Sequence, residues 1–586
     1  MTDHFEVHHR DAAARIGELR LADPVTTPCL ADDVVTDAGS LWNAEREVPA
    51  GDDSQVTILP HRGFPSGTAD EVQESFAVEH PDVDYPSGVV VSPDTAKNHG
   101  ADVYVVSGAP GFVGHAPSFR DAVLDVRDAV PDDTALYLSG VATPSNVATL
   151  VYAGVDLVDG DRAVVRGTQG RYLTTEGDHH LDELDELPCA CPACQQPLAE
   201  FDREDCVAHN VNALEAELAR VRGRIRQGRL RDYVEGQARH EAWTTAAFRE
   251  FDQQWGYVEQ RTPIERDSLL LSASEDTLRR VEIQRFAERV TSRYTPRLDD
   301  YPLLLVPCSA RKPYSDSQSH RQFQDAASYR GHLVSMTSPI GVVPTELELT
   351  YPAQQYDSVV TGDWSATEIE FVSTVLERYL DRTDYPRIVA HVPNEGYREI
   401  VERATAERDI PVEYTVVDHP TTDESLGELN AALAGEDQIW VQEREAATLR
   451  AVADYQFGDG AGDVLFAPDD FELQGRYPKL QALDGDGEQL AALVPQYGTL
   501  SLSLAGAHKW DASTVPTKRV KIDAFVPHGD VLAPGVVEAD DSIRPGDEVV
   551  VEGPKAFAVG RATVHGSAMA DATRGVVVDV RHSEET

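Results

Sequence analysis

Lysine is almost missing from this chain. Of its 51 basic residues only 7 are Lys and 44 are Arg, set against 101 acidic residues for a net charge of -50. Cysteine is equally sparse. Six in 586 residues exclude a disulfide-stapled scaffold. No run of eighteen apolar residues occurs, which excludes a transmembrane helix by composition. The first residues, Met1-Thr2-Asp3-His4-Phe5-Glu6-Val7-His8-His9, hold no apolar signal core, so a cytoplasmic location is expected. What is abundant is acid, spread along the whole length. With 41% hydrophobic residues the chain is not a disordered polyanion. Ordinarily such a charge argues against a nucleic-acid partner. Arginine in place of lysine over an acidic background reads instead as adaptation to molar salt, as in a halophilic archaeon. There the screening length is only about 3 Å and net charge says little about partners.

The length suits about four domains, and the fold class expected is multidomain α/β. Residues 1–290 read as a mostly parallel sheet or barrel. Val103-Tyr104-Val105-Val106, Ala135-Leu136-Tyr137-Leu138 and Val155-Asp156-Leu157-Val158 are its clearest strands. Pro144 to Ala153 reads as a helix with Thr143 as its N-cap. A long amphipathic helix is predicted from Val211 to about Ala246. The polar stretch Tyr294–Asp300 reads as a linker. A second α/β domain is expected over 301–440, a small α+β domain over 441–510, and a compact β-barrel over 512–586.

Three of the six cysteines crowd into Cys189-Ala190-Cys191-Pro192-Ala193-Cys194, with Cys206 and His209 following. Three thiolates and one imidazole make a closed tetrahedral set for a structural Zn²⁺. On spacing, Cys206 and His209 are both available as the fourth ligand.

The densest chemistry lies in Pro307-Cys308-Ser309-Ala310-Arg311-Lys312-Pro313-Tyr314-Ser315-Asp316-Ser317-Gln318-Ser319-His320. It leaves the apolar segment Leu303-Leu304-Leu305-Val306, a short buried strand. Loops leaving such strands carry the chemistry of open α/β sheets. Cys308 sits at the exit beside Arg311 and Lys312, and neighbouring cations favour thiolate. The alternative for Cys308 is a buried structural thiol.

These residues also carry a family resemblance. Gly140-Val141-Ala142-Thr143-Pro144, Gly154-Val155-Asp156-Leu157-Val158-Asp159, the cysteine cluster, His209-Asn210 and Gly228-Arg229-Leu230 resemble tRNA-guanine transglycosylases, in that order. The resemblance implies a TIM-barrel-like domain with a zinc subdomain, and a zinc site of Cys189, Cys191, Cys194 and His209. It maps the family's covalent nucleophile onto Asp159, for which a strand-end capping role is the alternative. The family's Asp-Ser-Gly-Gly segment is missing; the nearest stretch is Ser107-Gly108-Ala109-Pro110-Gly111-Phe112. Ser542–Val549, Ala558–Ala562 and Gly575–His582 resemble a PUA domain, which implies tRNA as a partner.

Together with the Pro307–His320 segment, the whole resembles the archaeosine synthases. So do Leu59-Pro60-His61-Arg62-Gly63-Phe64-Pro65, Tyr455-Gln456-Phe457-Gly458 and His391-Val392-Pro393-Asn394-Glu395-Gly396-Tyr397. That resemblance implies conversion of the nitrile of 7-cyano-7-deazaguanine at nucleotide 15 of tRNA toward the amidine of archaeosine. The nitrogen donor would be lysine or glutamine, and in the lysine version a radical-SAM partner completes the reaction. Cys308 would be the nucleophile, tuned by Lys312 and His320. Tyr314, Ser315 and Ser319 would bind substrate, and Asn394, Glu395 and Tyr397 the incoming amino acid. A homodimer is expected. The competing functions are base exchange by a true transglycosylase and non-catalytic tRNA binding.

Overall fold

A computed structural model describes residues 3–37, 39, 48–61, 68–76, 80–359, 363–468 and 470–586. The chain divides into two compact units. The first comprises Met1–Pro263 with Val531–Pro545 and Thr563–Val577. The second comprises Ile264–Asp530 with Gly546–Ala562 and Val578–Thr586.

The first unit opens with an antiparallel sheet of β1 (Phe5–Asp11), β2 (Ala14–Leu19) and β3 (Val25–Thr26). Its main sheet holds β4 (Cys29–Leu30), β5 (Val35–Asp37), β6 (Val56–Ile58), β7 (Ser87–Val91), β8 (Val103–Val106), β9 (Ala135–Leu138) and β10 (Leu157–Val158). The spatial order is β4-β10-β9-β8-β7-β6-β5, and every neighbour pair is parallel. The last strand thus lies beside the first, and seven strands stand among the described residues where an eight-stranded barrel was expected. Every residue of β8 and β9 is buried, as a parallel sheet covered on both faces requires. Asp156, just before β10, is fully buried and is held by Arg15 Nη2 and Arg127 Nη2 at 2.7 Å each. That pairing ties β2 and the helix Ala116–Ala129 to the sheet.

Two local expectations need correction. Thr143 caps no helix. Its hydroxyl meets Ser145 Oγ, the Asn146 side chain holds the turn, and the helix runs from Val147 to Tyr152. The long helix begins earlier than predicted, at Arg203, because Asp202 forms a capping box with Asp205. It stops at Arg226, where Gly228 adopts a φ of +61°.

In the second unit β13 (Leu270–Ser272) pairs with β17 (Tyr356–Ser358), and the helix Val281–Ser292 buries Ile283, Phe286 and Val290 in this unit's core. Residues 264–290, expected in the first domain, therefore belong here. The expected linker is also a packed joint: Tyr294 is 1% exposed and stacked on Tyr379, and Arg297 pairs with Asp454 and Asp463. The central sheet has the order β16 (Gly341–Pro344), β15 (His332–Thr337), β14 (Leu303–Pro307), β18 (Ile388–Ala390), β19 (Val412–Tyr414). All neighbours are parallel except β15 and β16. The chain crosses one way from β14 to β15 and the other way to reach β18, so the carboxyl end of β14 is a topological switch point. After the helix Val441–Phe457 comes an antiparallel sheet of β20 (Glu472–Arg476), β21 (Lys479–Leu483), β22 (Gln489–Val494) and β23 (Thr499–Leu502). The C-terminal strands Arg519–Ile522, Glu548–Gly553, Ala556–Ala562 and Val576–Glu585 pair in one sheet. Val550, Phe557 and Val559 join the core that contains Trp510, so this part of the C-terminal barrel is packed into the second unit.

Candidate active site and candidate metal centre

The metal cluster is built where the helix Arg203–Arg226 passes a hairpin of β11 (Arg171–Thr174) and β12 (Gly177–His180). Gly167 allows a close approach here; a Cβ there would lie 2.6 Å from Val207 Cα. Ligand atoms of Cys189, Cys191, Cys194 and His209 all lie within 4.8 Å of one another. His209 Nδ1 stands 3.6 Å from Cys191 Sγ and 3.4 Å from Cys194 Sγ. Its Nε2 faces the Leu173 carbonyl at 2.9 Å. A proton on Nε2 therefore leaves the Nδ1 lone pair turned to the sulfurs, which is the tautomer a metal needs. The Tyr172 ring stacks on the imidazole at 3.7 Å and fixes its plane. Asn210 completes the clasp: its Oδ1 accepts from Leu173 N–H at 2.8 Å. The adjacent His209 and Asn210 thus satisfy both backbone groups of one strand residue. Cys206 points elsewhere, donating to the Arg171 carbonyl at 3.3 Å, and burial pushes its thiol up to about 11. The three sulfurs and one imidazole fit a structural zinc-type ion.

Cys308 follows the last residue of β14, the middle strand of its sheet rather than an edge strand. Its N–H donates to the Met336 carbonyl at 3.1 Å, extending the ladder and fixing the side chain at the switch point. The half-buried sulfur lies 3.3 Å from the Tyr397 hydroxyl, carried by the helix Gly396–Thr405 that follows β18. Burial and the neighbouring sulfur raise the Tyr397 phenol, so it stays protonated and can donate. Trp364 packs against the Tyr397 ring at 4.7 Å. Lys312 Nζ sits over the Tyr356 ring at 3.8 Å. Burial lowers its ammonium, and the charge of Cys308 and then Asp357 opposes that shift. Tyr314, Tyr356 and Thr337 form a buried hydroxyl chain, with 2.6 Å and 2.7 Å links.

His320 does not join Cys308 and Lys312. It is 3% exposed, stacked on Tyr314 at 4.8 Å, with Nδ1 on Ser317 Oγ at 3.0 Å and Nε2 on Ser335 Oγ at 2.9 Å. Burial lowers it to about 4. Together with Tyr314 and Ser315 it lines a separate cavity of about 590 Å³, whose lining includes neither Cys308 nor Lys312. The reason is the helix Gln318–Ala327, capped by Ser317, which turns His320 inward beneath the sheet. Ser319 lies beside Ser317, 3.4 Å between hydroxyls, and Ser315 N–H donates to buried Glu348 at 2.8 Å. Asn394 and Glu395 are exposed, and Asn394 accepts from Arg398 at 3.2 Å. Tyr356 and Glu348 were missed in sequence, since neither stands in a local motif.

In the first unit Asp159 leaves β10 buried. It accepts from the Tyr137 hydroxyl at 2.9 Å, from Gly140 N–H at 2.9 Å and from Asp161 N–H at 3.3 Å. Ser107 and Gly108 lead into a short turn of helix, Ala109–Phe112. Arg62 to Pro65 of the early Leu59–Pro65 segment lie outside the described residues.

Family models account for most of the chain. Queuine tRNA-ribosyltransferase matches residues 90–242, a domain of unknown function 283–433, the patch-forming C2 domain of tRNA-guanine transglycosylase 447–516, and PUA 518–583. Over 585 residues, covering 100% of both chains, this chain is 63% identical to an archaeosine synthase of Haloferax volcanii. The chain belongs to the archaeosine synthase family. It is also 41% identical to the archaeosine synthase subunit alpha of Methanosarcina acetivorans, over 99% of each chain. Likeness to the transglycosylases is weaker. Identity is 28% to the tRNA-guanine(15) transglycosylase of Methanothermobacter thermautotrophicus, over 79% of this chain and 68% of that one. In this chain the matched domain of unknown function spans Cys308, Lys312, His320 and Tyr397. No helix among the described residues is long and apolar enough to cross a membrane.

Proposed function

We propose that this chain modifies tRNA already carrying 7-cyano-7-deazaguanine at nucleotide 15, adding an amino-acid nitrogen to the nitrile with Cys308 as nucleophile. The observation that carries the reading is the Cys308 sulfur at the carboxyl end of the central strand, 3.3 Å from a protonated tyrosine hydroxyl. The thiolate forms a bond to the nitrile carbon, one π bond of the C≡N breaks, and the nitrogen takes a proton to give a thioimidate. The Tyr397 hydroxyl, 3.3 Å from the sulfur, supplies that proton. The donor amine then adds to the same carbon, and the carbon–sulfur bond breaks to release thiolate and leave the amidine. Lys312 stabilises the thiolate at both ends of the cycle. His320 supports Tyr314 and so acts as a positioning residue. Bound zinc would hold the hairpin to the long helix and take no part in the chemistry, while the PUA domain would position the tRNA.

Asp159 serves this reading as a structural carboxylate, because its oxygens are already engaged by Tyr137, Gly140 and Asp161. The test is mass spectrometry of nitrile-bearing tRNA after incubation with lysine or glutamine in molar salt. Cys308→Ala should abolish the mass gain and keep tRNA binding; Tyr397→Phe should slow the reaction about 10²-fold or more. Full conversion by Cys308→Ala would sink the proposal.

A further inference from the structure

The cavity beside His320 has a lining that the thiol chemistry does not use. It measures about 590 Å³ and is walled by the helix Gln318–Ala327, β15, the helix Val441–Phe457 and the turn around Tyr477. Gln324, Tyr329, Leu333, Thr345, Arg444 and Thr448 also line an adjoining recess of about 30 Å³. A recess of that size takes one small polar group.

Two side chains in this shared wall each hold one buried polar atom without a hydrogen-bond partner. Arg444 lays its guanidinium over the Tyr329 ring at 3.8 Å, yet its buried Nε has no acceptor. No carboxylate pairs with it among the described residues. Buried Gln324 Oε1 likewise has no donor. Unmet polar groups of this kind call for a ligand or water that offers an acceptor to the Arg444 Nε–H and a donor to Gln324 Oε1. Away from the recess, buried Glu348 lines the larger cavity, accepting from Tyr477 Oη and Ser315 N–H.

We infer that this cavity seats a free α-amino acid, its carboxylate on Arg444, its ammonium on Gln324 Oε1, and its side chain reaching toward Glu348. A carboxylate and an ammonium on one carbon match the open Nε–H of Arg444 and the open Oε1 of Gln324, both residues of the wall shared by the cavity and the recess. Glu348 and Glu445 in the same lining oppose a phosphate. Glu348 also favours a side chain ending in N–H groups over one ending in a carboxylate. The assignment of this amino acid as the nitrogen donor rests on the reading of Cys308 given above; the binding itself rests on Arg444, Gln324 and Glu348.

Calorimetric titration of the full chain in molar KCl, with and without tRNA, tests it. The probes are L-lysine, L-glutamine, L-glutamate, 1,5-diaminopentane and inorganic phosphate. Lysine or glutamine should bind, and glutamate and the carboxylate-free diamine at least about tenfold more weakly. Arg444→Met should weaken binding about tenfold or more. So should Gln324→Leu, which leaves the stacked guanidinium in place in case the arginine variant fails to fold. Cys308→Ala should bind the amino acid as the wild type does, so loss of conversion with binding intact separates the two proposals. Wild-type affinity in both Arg444→Met and Gln324→Leu, tighter binding of phosphate, or no amino-acid binding in either state would each overturn the inference; in the last case water fills the recess.

Discussion

Replacing Asp159 separates a structural carboxylate from a nucleophile. In Asp159→Ala the Tyr137 hydroxyl and the Gly140 N–H lose their acceptor at the end of the parallel sheet. A buried donor left unpaired costs about 1–3 kcal/mol, so the pair costs about 2–6 kcal/mol. A unit of this size shifts by about 2–4 °C per kcal/mol, which places the unfolding transition roughly 10 °C lower. Asp159→Asn keeps one acceptor oxygen and should fall by about half as much. Scanning calorimetry in molar KCl measures the stability, and tRNA mass spectrometry at a temperature below both transitions measures the chemistry. Asn at this position should retain most of the nitrile conversion, because no bond to the ribose has to break. A folded Asp159→Asn chain with no conversion would place Asp159 in the reaction and refute the argument. An Ala variant with an unmoved transition would equally refute the hydrogen-bond reasoning.

Two further outcomes follow from the same geometry. Zinc analysis should find one ion per chain, retained in Cys206→Ala and lost in His209→Ala, and chelation should raise hydrogen exchange across residues 187–209. His320 is held near 4 by burial, below its unfolded value of about 6.5. The unfolded chain therefore takes up the proton first, and stability should drop as pH falls from about 6.5 toward 4. His320→Gln should flatten that slope in pH-dependent unfolding.

The cluster of three cysteines and one histidine was legible because its three thiols are local, and the place of His209 rather than Cys206 in it is explained by two bonds no spacing reveals, to Leu173 and Arg171. Cys308 was legible as a strand exit. Its separation from His320 was not, since twelve residues of sequence hide a helix start that turns the imidazole inward. Arg444 was invisible in sequence: a charged residue on an amphipathic helix reads as solvated until its missing partner is seen. The boundary near 290 failed for a related reason. The helix Val281–Ser292 has an apolar face but nothing in its own sequence says which sheet will cover it. The linker expected at Tyr294–Asp300 failed because polar residues there pair with partners some 160 positions away.

The thiol and its tyrosine hang from the ends of two neighbouring parallel strands, β14 and β18, in separate βα units, and that arrangement bears on how the family can diversify. Each loop can change length or composition while the hydrogen-bonded ladder beneath it stays intact. A descendant that accepts a different amine needs new side chains only after β18 or around the Arg444 recess, with the sulfur left untouched. Novelty in the incoming group and constancy in the bond-forming atom are thus assigned to different stretches of chain, and selection can act on one without paying in the other.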